Sequence, residues 1–73
     1  MEKKERELKE LQAIKANYDI VASSMNAVIE NVLKDYSYYQ NKEDLNEYIN
    51  FLQDISNKAV TASNNILIKI LSK

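Results

Sequence analysis

The sequence predicts an all-α protein folded as an antiparallel two-helix hairpin with a coiled-coil-like seam. Three observations predict it. Glycine and proline are both absent from the 73 residues, two long segments show helical apolar spacing, and a short polar break separates them. Tight β turns depend on residues that accept positive φ, glycine above all. Proline is the main helix breaker. A chain without either residue therefore favours long helices.

The first predicted helix covers residues from about 3 to 39. Its apolar residues recur at steps of three or four, the spacing that places side chains on one face of a helix. A further ladder of Ile14, Val21 and Val28 widens this stripe beyond the seam of a simple dimer, so the helix needs more than one neighbour. The full series is Leu8, Leu11, Ile14, Tyr18, Val21, Met25, Val28, Val32, Tyr36 and Tyr39.

A polar break follows, and we predict the turn at residues 40–42. Asn41 is the best N-cap candidate for a second helix, with Asp44 placed as in a capping box. Asn41 could instead adopt the left-handed conformation that ends the first helix, which asparagine tolerates where glycine is missing. Both interpretations place the turn at the same position.

The second predicted helix covers residues from about 43 to 72, within a single domain of residues 1–73. Small residues in its middle allow close approach of a facing helix, and a turn near Asn41 would set Met25 opposite Ala59. The matched helix lengths favour a hairpin over the alternative, one continuous rod. The apolar series is Leu45, Tyr48, Ile49, Leu52, Ile55, Ala59, Ala62, Ile66 and Ile70.

A domain of this size without disulfides is marginal unless it associates, so we predict a helical bundle completed by oligomerisation. The residues predicted to pack in the core are Leu11, Tyr18, Met25, Val32, Leu52 and Ile55. The end of the second helix is apolar on nearly all sides. One facing helix cannot cover that much apolar surface. The residues predicted to bind a protein partner are Phe51, Val60, Ile66, Leu67, Ile68, Ile70 and Leu71. The alternative is an apolar tail folded over the open end of the hairpin.

The composition argues against catalytic, metal and cofactor sites. Histidine and cysteine are absent, and carboxylates do not interrupt the apolar stripes. Lys15 does interrupt the first stripe, and we expect its ammonium to reach outward to solvent. We therefore expect a protein that is not an enzyme and holds no cofactor or metal.

The charge and hydropathy patterns also argue against nucleic-acid and membrane-spanning classes. Ten lysines and arginines against 11 acidic residues produce no positive field. The chain has no apolar run longer than residues 66–68, which are far too few to span a bilayer. The charged start does not resemble a secretory signal. The absence of cysteine is compatible with a cytoplasmic location.

The second helix, Leu45 to Leu71, resembles the C-terminal helix of needle subunits of bacterial type III secretion systems. The shared features are Gln53 and Ser56 in mid-helix, small residues at 62 and 63, and a closing run of Ile and Leu. The size and charged start resemble the co-chaperones that hold needle subunits soluble. Needle subunits usually carry proline in the turn, which Asn41-Lys42 lacks. The resemblance implies a co-chaperone more than a needle subunit, and it identifies no site residues.

These observations predict a non-catalytic protein–protein interaction module. It would be a small adaptor or chaperone subunit, or a homo-oligomer, that buries apolar helix faces against a partner. The alternative is a secreted or membrane-active structural subunit whose C-terminal apolar helix polymerises or inserts.

Overall fold

The structure, a computed structural model, describes residues 2–72 as two long antiparallel helices lying side by side. Helix α1 spans Glu2–Lys34, a short 3-10 helix spans Tyr36–Tyr38, and helix α2 spans Lys42–Leu71. The molecule measures 58 × 15 × 12 Å. This confirms the all-α hairpin and excludes the continuous rod, and no strand occurs among the described residues.

Helix α1 ends at Lys34, earlier than the predicted end near residue 39. Asp35 leaves the helical region at φ −102° and ψ 24°, and Tyr39 is extended at φ −82° and ψ 125°. Between them the chain tightens into the 3-10 turn, in which the Tyr38 N–H donates to the Asp35 carbonyl at 2.9 Å. The turn therefore occupies residues 35–41 rather than 40–42.

Lys42 stabilises this early reversal through two contacts with Tyr36. Its ammonium lies 4.2 Å from the centre of the Tyr36 ring and donates to the Tyr36 carbonyl oxygen. A 3-10 turn at a helix end leaves carbonyls for such donors. Tyr36 continues the apolar spacing in sequence, but in the fold it stabilises the turn through this cation–π contact.

Asn41 is the N-cap of α2, as predicted. Its Oδ1 atom accepts a hydrogen bond from the Asp44 N–H at 3.0 Å, and Glu43 and Asp44 add negative charge to the first turn. Asn41 has φ −93°, and no non-glycine residue in the described range has positive φ. The alternative left-handed role is therefore excluded.

Replacing Asn41 with alanine is expected to destabilise the hairpin by about 1 kcal/mol, because an unpaired amide is left at the start of α2. Urea unfolding followed by circular dichroism measures the change. Asn50→Ala is the matched control, since Asn50 is exposed inside α2, where alanine is the better helix former. Equal destabilisation by both variants would show that the cap contributes nothing.

The core is a narrow seam between the two helices. Of the predicted core residues, Val32 and Leu52 are buried, whereas Leu11, Met25 and Ile55 are half-buried. Tyr18 remains 37% exposed and lies at the edge of the seam. The buried residues are Ala22, Ile29, Val32, Leu45, Leu52, Ser56, Ala59 and Ser63.

Candidate functional site

Two hydrogen bonds join the helices along one edge of the seam. The buried Ser56 hydroxyl donates to Asn26 Oδ1 at 3.0 Å, and the buried Ser63 hydroxyl donates to Asp19 Oδ1 at 2.5 Å. The two serines are seven positions apart, and so are Asp19 and Asn26. This matched heptad spacing sets the register of the hairpin.

The register is close to the predicted one. The bonds between Asn26 and Ser56 and between Asp19 and Ser63 both place the midpoint of the reversal at residue 41. Ala59 then falls at the level of residue 23, beside Ala22. The prediction that sets Met25 opposite Ala59 is therefore off by about half a helical turn.

Asp19 is the centre of a small polar cluster on this edge. Its Oδ2 atom accepts a hydrogen bond from the Lys15 ammonium at 2.9 Å, so Lys15 reaches outward from the stripe as expected. The Ser63 hydroxyl first, and the Lys15 ammonium second, hold the pKa of the Asp19 carboxyl below its usual range. Hydrogen bonds and positive charge both favour the ionised carboxylate.

Replacing Ser63 with alanine is expected to raise the pKa of Asp19 towards its ordinary value, measured by NMR titration of the carboxyl carbon. A lowered folded-state pKa adds stability above the unfolded-state pKa of about 3.9, and this stability is lost as pH falls through the folded value. The variant should therefore lose less stability on acidification. Ser24→Ala, at an exposed site, is the control. An unchanged Asp19 pKa in Ser63→Ala would contradict the hydrogen bond.

The opposite edge of the seam is apolar. Most of its residues immediately precede seam positions, as Val21 precedes Ala22 in α1 and Ile55 precedes Ser56 in α2. Because the helices are antiparallel, these residues lie on the same side of the hairpin in both helices. Tyr18 and Met25 lie next to them, at the adjoining edge of the seam. We call this side the open apolar face, formed by Ile14, Tyr18, Val21, Met25, Val28, Tyr48, Ile55 and Ala62.

The open apolar face is accessible along its length. Ile14 is 44% exposed, Val21 40% and Tyr48 45%, and the other aliphatic side chains are half-buried. Towards the open end of the hairpin, a groove of about 510 Å³ continues the face between the two helices. Glu7 and Ile14 of α1 and Lys69 of α2 are among the residues that line it, which places these edges of α1 and α2 on one side of the molecule.

The predicted partner-binding residues do not share one surface. Ile66 and Ile70 are half-buried in the seam. Val60 and Leu67 follow seam positions and lie on the polar edge, 45% and 38% exposed. Phe51, 60% exposed, flanks the open apolar face. Ile68 and Leu71 lie at the open end and are 62% and 76% exposed.

The residues predicted from the sequence to bind a partner therefore leave out most of this face, which is a candidate binding surface. The signal was present in the ladder of Ile14, Val21 and Val28, which broadens the stripe of α1. Its matching edge on α2, Tyr48, Ile55 and Ala62, was assigned to internal packing. The antiparallel packing of α1 against α2 places the two edges on one side of the hairpin. On that side neither helix covers the apolar residues of the other. The sequence does not show this.

Within residues 2–72, acidic side chains do not form a group of three or more that could hold a metal ion. Neither helix of the described chain combines the length and hydrophobicity needed to cross a membrane. No family model, curated protein or solved structure matches the sequence or fold. The function is therefore argued from the geometry of the hairpin.

Proposed function

We propose that this protein is a non-catalytic helical interaction module that works by burying its open apolar face against another protein chain. The observation that supports this proposal is the difference between the two edges of the seam. One edge of the seam is joined by hydrogen bonds from Ser56 and Ser63. The other edge presents aliphatic and tyrosine side chains to solvent along both helices. Exposed contiguous apolar surface of this kind is characteristic of protein-binding sites.

The composition of the face supports a protein as the occupant. Aliphatic side chains form its centre, and tyrosines at 18 and 48 lie among them. Tyrosine is enriched where proteins bind one another, because its ring is apolar and its hydroxyl forms hydrogen bonds with water or with a polar group of the partner. An amphipathic helix or helix pair fits a groove between two helices through regularly spaced anchors. On this proposal the protein is a small adaptor or chaperone subunit that acts in the cytoplasm.

Charge replacement on the face tests the proposal. Val21→Lys is expected to abolish cross-linking of the chain to its partner in the native host, because a lysine would have to be buried unpaired in the interface. Val60→Lys is the matched control. The two valines are 40% and 45% exposed, and the register places them at nearly the same level on opposite edges.

Two results would contradict the proposal. The first is identical cross-linked species with wild type, Val21→Lys and Val60→Lys. The second is loss of cross-linking only when Ile68 and Leu71 are made polar, with the wild type sedimenting with liposomes. That second result would favour a membrane-active subunit that uses the exposed open end of α2.

A further inference from the structure

The hairpin exposes more surface than a compact protein of its mass. Its accessible surface is 5846 Å². The relation between surface and mass for folded monomers gives roughly 4,650 Å² at 8.5 kDa. The excess of about 1,200 Å² exceeds the roughly 800 Å² that one partner contributes to an interface of standard size. It arises because two helices form a single layer, whereas stable domains pack at least two layers.

We propose that a second copy of this chain covers the open apolar face, giving a symmetric dimer in which two hairpins form a four-helix bundle. This inference rests on the proposed function and names its partner. Two stacked hairpins supply the missing layer, and helix bundles of this kind build their cores from the inward faces of four helices. The narrow seam of each hairpin then becomes one side of a shared core.

The distribution of charge on the face favours a second copy. A two-fold interface places the same patch on both subunits, so any charge in its middle would meet a like charge. The residues that form the middle of the open apolar face have no ionisable side chain, and Lys58 lies beside them on α2. They are Val21, Met25 and Val28 on α1 and Ile55 and Ala62 on α2. Such a surface is complementary to itself.

The charged residues closest to the face lie at its rim. Lys58 lines a shallow groove with Ala62. It forms an ion pair with Asp54 at 3.1 Å, and both side chains are strongly exposed, so its charge is paired and solvated at the edge of the face. Glu7 and Lys69, of opposite sign, line the groove at the open end. A polar rim around an apolar centre is the usual anatomy of a stable protein interface.

Sedimentation equilibrium of the purified chain tests the dimer, with wild type, Val21→Lys and Val60→Lys compared over a wide concentration range. The wild type and Val60→Lys are expected to sediment at twice the chain mass of 8.5 kDa. Val21→Lys is expected to weaken the dimer about 100-fold or more, because symmetry buries two lysines without partners.

The melting temperature supplies a measurement that needs no variant. A dimer melts at a temperature that rises with protein concentration, whereas a monomer does not. A wild type that is monomeric at every concentration, with a concentration-independent melt, would overturn the dimer. So would equal weakening by the two lysine variants. If the purified chain is monomeric but Val21→Lys alone loses its host cross-link, the proposed function stands with a different partner.

Discussion

Replacing Leu52 with alanine is expected to destabilise the hairpin by about 2–5 kcal/mol and to remove most of its helical signal. Leu52 is only 5% exposed, and the register brings it to the level of Ile29, itself buried. The substitution removes buried methyl groups and leaves a cavity that two long helices cannot close without bending. A single core of this size supplies only about 3–5 kcal/mol in total. The expected loss is therefore comparable to the whole free energy of unfolding.

Far-ultraviolet circular dichroism during urea unfolding measures this effect at one protein concentration. Leu33→Ala is the matched control, because Leu33 is 51% exposed and truncation there should change stability by no more than about 0.5 kcal/mol. If both leucine variants unfold at the same urea concentration, the seam is not the source of stability that the structure indicates.

Replacing Ala59 with leucine is expected to destabilise the hairpin by about 1–3 kcal/mol, through overpacking. Ala59 is 5% exposed and Ala22 is 7% exposed, and the register places these two alanines at nearly the same level. Small residues at this level allow the helices to approach closely. A leucine would separate the helices and strain the bonds from Ser56 and Ser63 on either side.

Ala27→Leu is the control for this variant, since Ala27 is exposed on α1 and leucine is a good helix former. The free energy of unfolding is compared by urea titration, and the Ser63 bond is followed through the pKa of Asp19. A stabilising effect of Ala59→Leu would show that the seam contains an unfilled space rather than a close contact.

The elements of the fold could be predicted because their signals are local. The three- and four-residue spacing, the polar break and the capping pair of Asn41 with Asp44 all act within one or two helical turns. The end of α1 could not be predicted in the same way. Tyr36 and Tyr39 continue the helical spacing, and only the contact of Lys42 with the Tyr36 ring and the geometry of the reversal place them in the turn.

The candidate binding surface could be predicted only in outline. Residues outside the stripe of α2 were reasonable candidates, because one helix cannot cover all sides of another. Phe51, Val60 and Leu71 nevertheless point in different directions around α2, so they do not form one surface. The open apolar face combines one edge from each helix, and its position depends on the direction and register of their packing.

The sequence by itself determined that the chain forms two helices, where the second helix begins, and that their apolar surface exceeds what each covers on the other. These properties depend on residue spacing and local hydrogen bonding. Only the tertiary structure decided which side of the hairpin stays open. The hydrogen bonds from Ser56 to Asn26 and from Ser63 to Asp19 occupy one edge of the seam. The apolar surface that neither helix covers therefore lies on the other edge. Side-chain contacts between residues 30 or more positions apart make that choice.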